Sequence, residues 1–244
     1  YEDAVGSSIV IITSGVARKP GQTRLELAQT NVNILKQITP NIVKYAPEAI
    51  YIMVSNPVDV MTYVFHKISG IPAERIIGSG TVLDTARLQT ELAREFNISP
   101  KTVHAPVYGE HGVTSFVPWS LATISNNHVS RYAFHAPDPE NIRFNGNYEA
   151  FVERVRKSGA VVIQAKGATF YAVAVSGCHI VQCSLNGSGT ALTVFNLQFM
   201  SYVQLRAEEA YLGRVFSIIF TVAVLFMPVG SFAFSFLLDT SSPA

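Results

Sequence analysis

Tyr108-Gly109-Glu110-His111-Gly112 sets a histidine between two glycines and beside a carboxylate, directly after the apolar run of residues 103–107. A strand that ends this way pushes an imidazole out of a sheet on a backbone free to turn sharply. Histidine changes charge near neutral pH, which suits it to exchange a proton with a substrate hydroxyl or carbonyl. One histidine alone is more often structural than catalytic. A second group of the right kind lies upstream, in Leu83-Asp84-Thr85-Ala86-Arg87. Asp84 and Arg87 are three apart, so they share one face of the helix predicted over residues 81–97. Taken singly, that pair also fits a solvated surface ion pair.

These side chains need a scaffold, and the preceding residues describe one. Residues 8–13 (SIVIIT) and 50–54 (IYIMV) read as strands buried on both faces, as in a parallel sheet. After the first comes a loop over residues 14–21 with Gly15, Arg18, Lys19, Pro20 and Gly21, then a helix predicted over residues 22–38 and closed by Pro40. Ser55-Asn56-Pro57 follows the second strand and starts a helix that stops at Gly70. Two strand–loop–helix units in succession argue for a parallel α/β sheet, with its ligand site beyond the carboxyl ends of the strands. Residues 103–108 read as a further strand ending at His111. Residues 116–124 read as another apolar segment, and residues 148–166 and 167–183 as two helices.

Composition narrows the partners. A net charge of +1 gives no case for nucleic-acid binding. Cys178 and Cys183, five apart on a predicted helix, fit no zinc pattern and make a poor disulfide pair, so buried free thiols in a reducing compartment are expected, and no metal. Tyr1-Glu2-Asp3 lacks the basic start of a signal peptide. The chain is 48% hydrophobic and 14% charged, and the apolar excess gathers in residues 191–244. There, residues 215–238 (VFSIIFTVAVLFMPVGSFAFSFLL) run for 24 residues without a charge. A bilayer core needs about 20. Arg206 and Arg214 on one side and Asp239 on the other predict a cytoplasmic N-terminal flank.

The motifs ITSGVARKPGQTRLELAQTN, VSNPVD, GSGTVLDTARL, YGEHG followed by SFVPWS, and KGATFYAVA stand in one order over residues 1 to about 193. In this they resemble the lactate/malate dehydrogenase family, its L-lactate branch above all. The resemblance implies hydride transfer between NAD and a small 2-hydroxy acid. His111 would give and take the proton, and Asp84 would orient its imidazole and stabilise the protonated form. Arg87 would grip the substrate carboxylate with its planar fork. Arg24, on a mobile loop, would polarise the substrate carbonyl as the loop closes; alone, it also fits a solvated helix-start residue. Asn56 would hydrogen-bond in the same pocket, and Thr169 would line the side of it that holds the substrate's variable end. Thr13, Ser14, Gly15, Val54 and Asn56 would lie along the dinucleotide. Arg18 sits where the family chooses the residue facing that variable end. Glutamine there goes with pyruvate and arginine with oxaloacetate, so Arg18 alone points to malate and the longer match to lactate; Arg18 also fits a residue turned to solvent, like Lys19 beside it. The family implies a cytoplasmic homo-oligomer.

Three departures qualify the resemblance. The family opens with a Gly-rich phosphate turn of the G-x-G-x-x-G kind, and none occurs here, so tight NAD binding is not expected of this chain. Val113 stands where the family usually has aspartate. The match is read as ending between residues 186 and 193. Beyond it, residues 202–234, with Leu212-Gly213-Arg214-Val215-Phe216-Ser217, resemble a loop and late helix of a major facilitator superfamily transporter. The resulting expectation is an α/β chain: residues 1–58 as part of a Rossmann-type dinucleotide-binding domain, residues 59–193 as part of an α+β catalytic domain, and residues 194–244 as a tail with a transmembrane helix. Two function classes follow, a 2-hydroxy-acid dehydrogenase by lineage, and a fusion or transporter fragment without that activity.

Overall fold

The computed structural model describes residues 1–17, 24–112, 114–135 and 148–186. Three strands, β1 (Ile9–Ile12), β2 (Ile50–Met53) and β3 (Ile76–Gly78), form a parallel sheet in the order β1-β2-β3. Ile12 stands opposite Met53, and Met53 opposite Gly78, so all three strands end at one edge. The crossovers are helices, α1 (Arg24–Tyr45) and α2 (Val58–Ser69), as short parallel strands require.

The alternation of side chains along the strands sorts the core. Ile12, Tyr51 and Met53 face α1 and α2, where they pack with Leu35, Met61 and Phe65. The Tyr51 and Phe65 rings lie 4.8 Å apart. Ile52 faces the other way, against Val82 of α3 (Val82–Glu95) and Ile180 of α6 (Tyr171–Asn186). Central β2 is buried on both faces, as its unbroken apolar run predicts. Strand β1 is not: among the described residues it pairs with β2 alone, and Ile11 is 44% exposed.

A second, antiparallel sheet holds β4 (Val103–His104), β5 (Thr123–Ile124) and β6 (Asn127–His128). Helix α4 (Val129–His135) follows it, and α5 (Tyr148–Lys166) packs Phe151, Val152 and Val155 into the core shared with α3 and this sheet. All the described residues belong to one compact unit.

Three expectations about elements are corrected. Pro40 does not end the first helix, which runs five residues further. Proline removes the N–H that would bond the carbonyl of Lys36, yet both residues are exposed, so water can take that carbonyl. Beyond the proline, Ile42 and Val43 still pack on the core. The expected strand over residues 103–108 is only two residues long, because Pro106 cannot donate to a ladder. Pairing returns as a single bridge between Tyr108 and Phe116. Finally, Cys183 is buried, with its sulfur against the His179 ring, but Cys178 is exposed. The period of α6 explains this: Ser176, Ile180 and Cys183 fall on its inner face, and position 178 falls outside it.

Candidate functional site

The bridge between Tyr108 and Phe116 closes the loop that carries His111. Gly109 turns the chain there at φ +92°, and a Cβ on it would come within 3.3 Å of the Thr114 carbonyl. Within the loop, Thr114 Oγ1 donates to Glu110 and Ser115 Oγ to the Gly112 carbonyl. From α5, Arg156 donates to the Ser115 carbonyl. The segment leading into the loop is tied to α3: Thr81 Oγ1 donates to the Val107 carbonyl at 2.6 Å, and the Val107 N–H donates to Thr85 Oγ1 at 2.9 Å. These bonds fix the histidine loop against the helix that carries Asp84 and Arg87.

Asp84 is 6% exposed and uses both carboxylate oxygens. Oδ2 lies 2.6 Å from His111 Nδ1, and Oδ1 accepts from Arg87 Nη1 at 3.1 Å. An ionised carboxylate can only accept, so His111 Nδ1 carries a proton and Nε2 is the nitrogen left for a ligand. The His111 imidazole is held above its ordinary value. Burial disfavours the charged ring, but the bond to Asp84, that carboxylate's charge and the charge of Asp59 together outweigh it, against an opposing push from Arg87.

His111 faces a small cleft at the carboxyl edge of the parallel sheet. Val54 and Asn56 line it after β2, Ser79, Gly80 and Leu83 after β3, and Val173 and Ser176 from α6. The neighbouring loop after β1 is clamped to this edge by Asn31, which is 1% exposed. Asn31 accepts the Val16 N–H at 2.8 Å and donates to the carbonyls of Val16 and Asn56, the latter at 2.7 Å. Ser55 Oγ adds a bond to the Ser14 carbonyl at 2.6 Å.

The structure thus brings Asp84, Arg87 and His111 into one network and sets Val54 and Asn56 in the same cleft. Thr13, Ser14 and Gly15 lie in the adjoining loop. Thr169 is not among the lining residues; it is exposed, just before α6 begins. Arg24 is the first residue of α1, while Arg18 and Val113 lie outside the described residues. Sequence reasoning passed over Asp59, Asn31, Val173 and Ser176. Asp59 and Asn31 close two of the quoted motifs, VSNPVD and the run ending in AQTN, and that position was the available signal. Among the described residues, no group of His, Cys, Asp and Glu could hold a metal ion.

Known proteins resemble this chain in sequence and in fold. The profile of the lactate/malate dehydrogenase NAD binding domain matches residues 1–78, and that of the lactate/malate dehydrogenase alpha/beta C-terminal domain matches residues 81–228. An L-lactate dehydrogenase of Clostridium botulinum is 44% identical over 214 residues, which are 87% of this chain and 65% of that protein. L-lactate dehydrogenase 1 of Clostridium acetobutylicum is also 44% identical, over 66% of its length. The chain therefore spans slightly less than two thirds of these relatives. Among solved structures, a lactate dehydrogenase from a Medee basin deep-sea metagenome library superposes with a TM-score of 0.70 at 35% identity, covering 77% of this chain and 58% of that one. The minor L-lactate dehydrogenase of Enterococcus mundtii gives 0.67 at 34% identity, covering 74% and 56%.

These matches correct the reading of the C-terminal part. The second profile continues to residue 228, so the dehydrogenase resemblance does not end between residues 186 and 193, and much of the stretch likened to a transporter lies within it. A long uncharged run fits a very apolar core helix as well as a membrane helix. Residues 215–238 lie outside the described residues; among those described, no helix is long and apolar enough to cross a membrane.

Proposed function

The chain belongs to the lactate/malate dehydrogenase family, and we propose that its cleft is the substrate site of an NAD-dependent L-lactate dehydrogenase, interconverting (S)-lactate and pyruvate. One observation carries this reading: a single buried carboxylate, Asp84, holds an imidazole with one oxygen and a guanidinium with the other. The first is suited to move a proton, the second to bind a carboxylate, and a 2-oxo acid presents a carbonyl and a carboxylate on adjacent carbons.

In the reducing direction, the imidazolium of His111 gives its Nε2 proton to the substrate oxygen as that oxygen gains negative charge. Asp84 keeps the ring in the tautomer that leaves Nε2 toward the substrate, and stabilises its charged form. Arg87 spends one N–H on Asp84 and keeps the rest of its fork for the substrate carboxylate. Asn56 adds a hydrogen bond from the cleft wall, and the family resemblance gives the polarising of the carbonyl to Arg24. In oxidation, neutral His111 takes the hydroxyl proton back.

The residues present suit the nicotinamide end of NAD. Ser14 Oγ is buried and has no partner among the described residues. Gly15, at φ +153°, approaches Asn31 so closely that a Cβ would stand 3.1 Å from the Asn31 side chain. With Thr13 and Val54, these residues would flank the ring beside His111. When bound, NADH supplies the hydride that reduces the carbonyl carbon. By lineage the protein is a cytoplasmic homo-oligomer.

The branch is settled by kcat/KM for pyruvate and for oxaloacetate, each with NADH. The expected result is a preference for pyruvate. A preference for oxaloacetate that is lost in Arg18→Gln would instead assign the malate branch, because a second substrate carboxylate needs a cation opposite it.

A further inference from the structure

Asp84 and Arg87 approach the His111 side chain from α3, but the His111 backbone is held from another side. Asp59, in the first turn of α2, accepts the His111 N–H on Oδ2 at 2.9 Å, across 52 residues of sequence. That bond ties α2, next to the wall residue Asn56, to the loop that carries the proton. The carboxylate is poorly placed for an ordinary structural acceptor. Burial pushes the Asp59 carboxyl above the usual carboxylate range, while the His111 N–H and the His111 ring charge pull it back. An uncharged asparagine could accept the same N–H without the cost of desolvating a charge. The charge itself is therefore the feature to explain, and it sits on the backbone of the residue whose imidazole it attracts.

We infer that Asp59 is a positioning residue for proton exchange at His111: its bond to the His111 amide fixes the loop backbone, and its negative charge acts with that of Asp84 to hold the imidazolium. The inference rests on the reading above that His111 exchanges the proton. The charged groups facing His111 among the described residues are Asp84 and Arg87 from α3 and Asp59 from α2, with Glu110 adjacent on the loop itself. Arg87 opposes the imidazolium, so two carboxylates outweigh one guanidinium. The far end of the loop has its own anchor, Arg156 on the Ser115 carbonyl. Loss of the Asp59 charge therefore leaves the loop tethered.

The test uses the full chain and its Asp59→Asn and Asp59→Ala variants. The imidazole titration of His111 is followed by proton NMR, with its signal assigned by its loss in His111→Gln. In Asp59→Asn, which keeps an acceptor for the amide, the His111 midpoint is expected to fall by about one pH unit. The pH profile of pyruvate reduction should shift in the same direction, with KM for pyruvate little changed. Asp59→Ala should show the same shift and in addition a kcat lower by roughly tenfold, because the amide is no longer held. Urea unfolding of each variant checks the fold, and Asp59→Asn decides the matter if Asp59→Ala does not fold. A His111 midpoint in Asp59→Asn equal to that of the parent chain would overturn the inference. If the parent chain does not reduce pyruvate, the proposed function fails, and the NMR midpoint still decides the role of Asp59.

Discussion

Replacing Asp84 with asparagine is expected to lower kcat/KM for pyruvate reduction by about ten-thousandfold, the scale set by removing the carboxylate that orients a catalytic histidine. Three losses combine. The imidazolium of His111 loses the charge and the 2.6 Å bond that hold it above its ordinary value. The asparagine NH₂ can donate to Nδ1, which favours the tautomer whose Nε2 carries the proton without charge. Arg87 keeps an oxygen acceptor for its Nη1 but loses the negative charge opposite its guanidinium. The sign of the pH effect follows. Reduction needs protonated His111, so a raised value keeps the reaction running to higher pH, and removing the charge lowers that value. The variant should regain part of its activity as pH falls, whereas oxidation of lactate, which needs the neutral ring, should lose its dependence on alkaline pH. Initial rates in both directions across pH check this. An Asp84→Asn variant that keeps the parent pH profile would contradict it.

Arg87→Lys is expected to lower kcat/KM for pyruvate by about a hundredfold, mostly through KM, because charge-assisted bonds are worth about 1.5–3 kcal/mol and a lysine has no planar fork. In the proposed site Arg87 would serve two carboxylates at once, Asp84 and the substrate's, and a single ammonium cannot span both in fixed geometry. Its side chain is 19% exposed, so solvent screens it little. Gly159 of α5 lies beside the guanidinium: a Cβ on it would stand 4.0 Å from Nη2. Steady-state kinetics at saturating NADH separates KM from kcat. A fall in kcat at constant KM would place Arg87 at the proton step and not at carboxylate binding.

Which parts of this were legible in the residues follows from the range of the interactions concerned. The strand–loop–helix repeat is local, so β1, β2, α1 and α2 and the edge that holds the cleft could be read from apolar runs and their stops. Asp84 and Arg87 share a helix face and were visible as a pair. Their meeting with His111 is not local. It depends on Thr81 and Thr85 bonding the backbone of Val107, two contacts that no periodicity signals. Asp59 and Asn31 are harder still, since each bonds to backbone groups, and a backbone partner leaves no mark on sequence. Pro40 misled because the usual stop signal gives way where the freed carbonyl faces water and the apolar face continues beyond it. Val173 and Ser176 were missed because α6 starts at Tyr171, and the phase of its inner face depends on that start.

The central claim is that the cleft around His111 moves a proton to and from a 2-hydroxy acid. It is tested most directly by adding pyruvate to the full chain with NADH, following NADH absorbance, and resolving the enantiomers of the product, in parallel with His111→Gln. The account predicts saturable NADH oxidation that yields (S)-lactate, and a His111→Gln rate lower by about a thousandfold, within the range for loss of a general acid. NADH oxidation that proceeds equally well in His111→Gln, or its absence in the parent chain, would contradict it.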